Sequence, residues 1–252
     1  MKRIFTTIFA AAALLLSSAQ ASAQYFDHLS LGVGAGADGI SLNLAVPVGN
    51  YVQLRAGGSY MPPIGITRQF TDFEYRPGET VDLSVMGQMQ ISAFNAMIDL
   101  FPGKETAFHF TLGLFAGDKT IANVHNTKPY LDEESWGTDG IMVGNTLVTT
   151  DSKGISKVNL DINKFLPYLG IGFGRPVPKK AVSFVFDLGA IYTGGLGLYT
   201  NGTNVKTGQT EYVRITSDVL AEADLEDGGI VDIIGSIPVL PMMKFSLFFK
   251  LF

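Results

Sequence analysis

Two runs of strict two-residue alternation, joined by a short Pro/Lys turn, constrain this chain more than any other feature. From Leu166 to Tyr192 it reads LPYLGIGFG, RPVPKK, AVSFVFDLGAIY. The first run sets Leu169, Ile171 and Phe173 against Tyr168, Gly170, Gly172 and Gly174. The second sets Val182, Phe184, Phe186, Leu188 and Ala190 against Ser183, Asp187 and Gly189. Period two on both sides of a turn is the signature of a β-hairpin. A soluble sheet gives its non-core face Lys, Glu, Thr and Gln, whereas here that face is mostly glycine. Large apolar groups on one side, with small and a few polar groups on the other, suit a strand with lipid outside and a narrow lumen inside.

The remaining sequence agrees with a membrane strand and disagrees with a membrane helix. No stretch beyond residue 16 approaches the ~18 continuous apolar residues a helical span needs, yet mean hydropathy is +0.25. Alternating strands facing hydrocarbon account for both, because only helices and closed barrels satisfy every backbone group there. The first residues, Met1-Lys2-Arg3, an apolar run over 4–16 and Ala21-Ser22-Ala23 before Gln24 predict a cleaved secretory signal peptide over 1–23. The chain has no cysteine, which excludes a thioether-linked lipid anchor, disulfides, zinc-thiolate sites and Cys nucleophiles. Without Lys2 and Arg3, 16 of the 18 basic residues face 23 acidic ones, a formal charge near −7. With no basic stripe, nucleic acid is not an expected partner.

Read in order, the pattern predicts eight strands, at 28–36, 40–46, from 51, ending over 94–100, 108–114, 166–174, 182–190 and 243–252. Met61-Pro62-Pro63 is expected to end the third, since proline removes donors. Residues 64–88 and 118–163 read as long loops, the second with a hairpin around Asp151-Ser152-Lys153-Gly154. Residues 194–216 read as a variable segment whose Asn201-Gly202-Thr203 marks a loop tip. Ser217 then caps a helical pattern over 217–237, stopped by Pro238 and Pro241. Short turns at 49–50, 102–106 and 175–180 alternate with longer connections, the habit of barrels with periplasmic turns and external loops. The fold class is all-β: a single transmembrane antiparallel barrel over 24–252 with long extracellular loops and one helical insertion. A ten-strand barrel recruiting 140–150 and 155–163 is the alternative.

Asp99-Leu100-Phe101-Pro102 before Phe108-His109, Pro167-Tyr168-Leu169-Gly170, Asp187-Leu188-Gly189 and the final Phe252 carry a resemblance. The chain resembles the small outer-membrane β-barrel proteins of Gram-negative bacteria, of the OmpW-like and OmpX-like kind. The resemblance implies location in the outer membrane, contact with its lipid, and recognition of Phe252 by the barrel-assembly machinery. Lys250 and Lys244 share the phase of Phe252, where that family's terminal pattern has large apolar residues. It carries no catalytic residue onto this chain.

Sharper readings meet plainer ones at each candidate site. Gly34, Gly36 and Gly39 spell G-x-G-x-x-G, but a strand follows instead of the helix that would hold a pyrophosphate, so the motif is a turn. Of the three histidines, His28, His109 and His125, none has a visible Ser and acid partner for hydrolysis. Asp132-Glu133-Glu134 with Asp139 lacks calcium-loop spacing, as does the stretch 224–228. Neither a cofactor nor a metal is expected. The lumen face is richer: aligned lower ends of strands three, four and five bring Arg55, Asp99 and His109 together, and Asp187 is expected to approach Lys244. An eight-stranded bore is just wide enough for side chains to fill, so these residues predict a polar network closing it. The function expected is a non-enzymatic outer-membrane protein with a structural or surface role. A narrow porin-like channel is the alternative and a lipid-modifying enzyme the remote one.

Overall fold

The computed structural model describes residues 28–76, 78–143, 146–204, 210–215 and 238–252. The expected signal peptide and the expected helix over 217–237 lie outside them. In chain order the first strands are β1 (Ser30–Gly36), β2 (Gly39–Pro47), β3 (Val52–Arg76), β4 (Glu79–Leu100) and β5 (Phe108–Gly117). Then come β6 (Thr120–Asn126), β7 (Gly140–Val143), β8 (Thr146–Thr149) and β9 (Lys157–Asp161). The last are β10 (Phe165–Phe173), β11 (Val182–Tyr192), β12 (Gly197–Asn204), β13 (Thr210–Ile215) and β14 (Val239–Lys250).

Eight of these close a ring in the order β3-β2-β1-β14-β11-β10-β5-β4, with β4 pairing back to β3 and every pairing antiparallel. They are the eight strands read from the alternation, with the same side facing out. Leu42, Leu112, Leu169 and Phe184 are 55%, 46%, 64% and 56% exposed, while their chain neighbours Ser41, Thr111, Tyr168 and Val185 are buried. Closure leaves no unpaired edge around the ring, which hydrocarbon requires. Among the described residues no helix is long and apolar enough to cross a membrane.

Glycine on the inner face makes room for large neighbours. A Cβ on Gly32 would fall on the Phe248 ring, and one on Gly172 would strike the His109 imidazole and lie 2.7 Å from Asp187 Oδ1. The Gly34-x-Gly36-x-x-Gly39 motif is the β1–β2 turn, where Gly39 has φ +88°, a conformation glycine adopts without strain.

Outside the ring several expectations are corrected. Residues 64–88 are not a loop: β3 and β4 continue as one long hairpin. Pro62 and Pro63 fall in a register shift between Met61 and Ile64, after which the ladder resumes; a bulge is where a sheet tolerates proline. The insertion 118–163 contributes β6 to β9. With β12 and β13 they continue the sheet from the upper part of β4, in the order β4-β6-β9-β12-β8-β7. They do not enter the ring, so the ten-strand alternative fails. Asp151 to Gly154 do form a turn, but β8 and β9 each pair with β12 instead of each other. Asn201-Gly202-Thr203 is not a loop tip: it lies within β12, opposite Tyr212, Glu211 and Thr210.

Candidate functional site: the closed bore

Arg55 enters the lumen from β3, four residues after the Tyr51 turn. Its Nη1 donates to Asp187 Oδ2 at 2.7 Å and its Nη2 to Asp187 Oδ1 at 3.0 Å and to Asp99 Oδ1 at 2.7 Å. Asp99 stands on β4, the neighbouring strand. Asp187 stands on β11, four strands away from β3 whichever way the ring is followed. The guanidinium therefore spans the full bore. Thr111 Oγ1 donates to Asp99 Oδ1 at 2.8 Å. His109 Nε2 lies 3.2 Å from Asp187 Oδ1, and its Nδ1 lies 3.3 Å from the Ala107 carbonyl oxygen. Arg55, Asp99, His109 and Asp187 are each at least 95% buried. Taking such charges out of water costs several kcal/mol per ion, offset only where bonds are short and the remaining polar atoms paired; the fork of Arg55 supplies the short bonds, while Arg55 Nε and Asp99 Oδ2 have no protein partner.

Beneath this layer the β10–β11 turn folds back under the barrel. Pro176 and Pro178 are fully buried and Val177 is 5% exposed, packed with Ala45, Val185 and Phe248. Val177 N–H donates to Gln53 Oε1 at 2.9 Å, and Ser30 Oγ donates to the Pro176 carbonyl at 2.6 Å. Arg175 clips the turn to its neighbours, donating to the carbonyls of Asn50, Lys104 and Thr106 at 3.0 to 3.1 Å. Its guanidinium also lies 4.0 Å from the centre of the Phe101 ring. Lys179 pairs with Glu105, which holds the Glu105 carboxyl below its ordinary range. The bore thus has a charged layer and, below it, a proline-bound stopper.

The residues read from sequence fall into place unevenly. Arg55, Asp99 and His109 lie together, Arg55 bonded to Asp99 and His109 Nε2 3.8 Å from Asp99 Oδ1, although the ladder sets Arg55 opposite Met97 and Asp99 opposite Thr111. Asp187 and Lys244 are register partners on β11 and β14, but the expected contact between them is replaced by two others. Asp187 turns to Arg55, and Lys244 reaches Asp38 in the β1–β2 turn at 2.6 Å. Adjacent inward side chains choose their partners across the lumen, which pairing along the sheet does not reveal. Asp38, Thr111 and the stopper were not read as functional. Two prolines and a valine in a turn that faces water were the available signal for the stopper. Phe252 is 65% exposed, and its carbonyl accepts from Leu29 N–H at 3.2 Å. His28 lies near Lys250 Nζ, at 3.3 Å, and His125 lies beside Asn123.

Among the described residues, the only three metal-ligating groups that converge are Asp99, His109 and Asp187. They do not suit a cation, because the Arg55 guanidinium already occupies both carboxylates. Asp132 precedes an exposed 3-10 turn over Glu133–Ser135 without a side-chain capping bond, and among the described residues its acidic neighbours join no such cluster.

Outside the ring, Asp161 organises the outer sheet. It accepts from Thr120 Oγ1 at 2.7 Å and Tyr212 Oη at 2.9 Å and pairs with Lys119 at 3.0 Å. Lys119 Nζ sits 4.5 Å from the centre of Tyr199, which stacks on Tyr212. Burial pushes the Asp161 carboxyl up, and the hydrogen bonds from Thr120, Lys119 and Tyr212 outweigh it, holding the group below its ordinary value. The bond to Asp161 correspondingly raises Lys119.

An apolar belt around a closed antiparallel ring, with charge buried inside it, is the transmembrane form of the fold. The chain has the fold of an outer-membrane β-barrel. No protein-family model matches it, and no curated protein matches it. The solved structures it is similar to include three outer-membrane proteins. Acinetobacter baumannii CarO is 18% identical, with 87% of this chain and 96% of that chain covered and a TM-score of 0.43. Acinetobacter baumannii CarO2 is 14% identical, over 88% and 98%, with a TM-score of 0.48. A major outer membrane protein from Thermus thermophilus is 14% identical, over 88% and 99%, with a TM-score of 0.35.

Proposed function

We propose that the chain is an integral outer-membrane protein, exported by the 1–23 signal and inserted with the help of the assembly machinery that reads Phe252. It works as a sealed, non-enzymatic barrel that presents a large external sheet. The observation that carries this reading is the Arg55–Asp187 bond across the bore. The stopper at Pro176, Val177 and Pro178 supports it from below. Catalysis finds no support in the same residues: Thr111 gives its proton to Asp99 and not to His109, and both are buried away from lipid. The external sheet, with its acidic Asp132-Glu133-Glu134 turn, is the part free to meet a partner.

The test is planar-bilayer recording on the purified full chain, with membrane fractionation beside it. The expected result is recovery in the outer-membrane fraction and no steady conductance. Steady current through the wild-type barrel would remove the seal, and a current unchanged by Asp99→Asn would remove the Arg55 layer from any part in it.

A further inference from the structure

Above the Arg55 layer the two sides of the lumen differ in chemistry. Met97, Phe115, Leu166, Tyr168 and Met242 cluster on one side. The other side, centred on the inner faces of β1, β2 and β3, carries Ser41 and Ser59, with Ser246 on β14 and Asn95 on β4 at its edges, where Met242 and Met97 of the cluster border it on the same two strands. These four residues are 3% to 6% exposed, and the three hydroxyls and both polar atoms of the amide have no protein hydrogen-bond partner. Their placement is continuous. Ser41 stands opposite Ser59, and Gly34 stands between Ser41 and Ser246, so close that a Cβ there would touch both hydroxyls. Gly57 likewise separates Asn43 from Asn95. At the outer end Asp38 directs one oxygen to Lys244 and leaves the other without a protein partner; at the inner end Asp99 Oδ2 and Arg55 Nε do the same.

Buried polar groups are almost always bonded, to protein or to ordered water. A run of orphaned hydroxyl, amide and carboxylate atoms supplies the two to four polar partners that a bound water needs. We propose that this wall holds a file of bound water reaching from the Lys244–Asp38 pair down to Arg55. The barrel interior is then wet along β1, β2 and β3, bounded by Ser246 on β14 and Asn95 on β4, and dry around Phe115 and Leu166, with Arg55 as the floor of the wet side. The ligand class is water and nothing larger: the lining offers both donors and acceptors, and its only formal charges are already paired. This inference rests on the sealed-bore reading, because an open pore would be wet on all sides.

The experiment is water-to-protein magnetisation transfer by solid-state NMR on the full chain in lipid bilayers. The expected result is fast transfer to Ser41, Ser59, Asn95 and Ser246 and slow transfer to Phe115 and Leu166. Equally slow transfer to both sets overturns the file. The variants Ser59→Val and Ser246→Val give a second readout through the urea midpoint of unfolding. A hydrated wall predicts a lowered midpoint, because waters lose their partners, whereas a dry wall predicts a raised one, because an unpaired hydroxyl is removed; the raised midpoint counts against the file. Conductance of the wild type separates the two readings: current sinks the seal, while slow transfer at the polar wall sinks the water file alone.

Discussion

Arg55 and Asp187 stand on opposite strands of the eight-membered ring and meet at 2.7 Å. Asp99 takes the other half of the same guanidinium. Deleting one partner of such a buried set leaves charge without compensation and costs about 3–5 kcal/mol. Arg55→Ala is expected to lower the urea midpoint of unfolding by that measure, followed by far-UV circular dichroism in detergent. Asp187→Asn should cost less, because the amide still accepts from Arg55. An Arg55→Ala barrel as stable as wild type would show that the network does not hold the bore.

Gly172 lies beneath the His109 ring. A methyl group there must displace His109 or Asp187, and overpacking of this kind costs about 1–3 kcal/mol. Gly172→Ala should therefore destabilise the barrel, while Gly49→Ala tests only the turn, since nothing lies within 4 Å of a Cβ at Gly49.

The stopper can be tested by proteolysis. Lys179 and Lys180 are exposed beside the buried Pro176-Val177-Pro178. Arg175→Ala removes the clip to the Asn50, Lys104 and Thr106 carbonyls and is expected to speed tryptic cleavage after Lys179 and Lys180. Unchanged cleavage would show that the prolines hold the turn alone.

Acid should loosen the outer sheet before the ring. The Asp161 carboxyl is held below its ordinary value of 3.8. A group depressed on folding contributes stability that is present above the unfolded pKa and lost as pH falls through the lower, folded one. Hydrogen exchange of β9, β12 and β13 is expected to accelerate below that value, and Asp161→Asn should remove the pH dependence.

The lipid face makes a separate prediction. Leu112 lies mid-strand on β5 and is 46% exposed. Leu112→Arg should cost about 2–4 kcal/mol in a bilayer, seen as a lower unfolding midpoint in lipid vesicles.

Alternation made the ring legible because one flank of every strand meets hydrocarbon, and a two-residue period leaves no freedom about which. The same rule misled at 64–88. There Arg68, Asp72 and Asp82 enter the pattern, and a strand that carries charge among its apolar residues reads like a loop. Arg55, Asp99 and His109 were readable because β3, β4 and β5 are neighbours in both chain and ring. Asp187 was not assigned to Arg55, because its approach crosses the lumen and only the ring's diameter brings it there. Asp38 was hidden inside a turn, where a carboxylate ordinarily meets solvent.

The ring is shut by β1 lying along β14, seven residue pairs from Ser30–Lys250 to Gly36–Lys244. Leu29 and the last two residues add bonds at the seam's lower end. The first and last strands of the fold are thus each other's missing edge. A polypeptide cut short before residue 239 would have no way to finish its own wall, and its two open borders would lie bare in oil or seek another molecule's strand. Insertion is therefore expected to be an event of the finished chain, in which β14 decides whether the other staves can stay in the membrane at all.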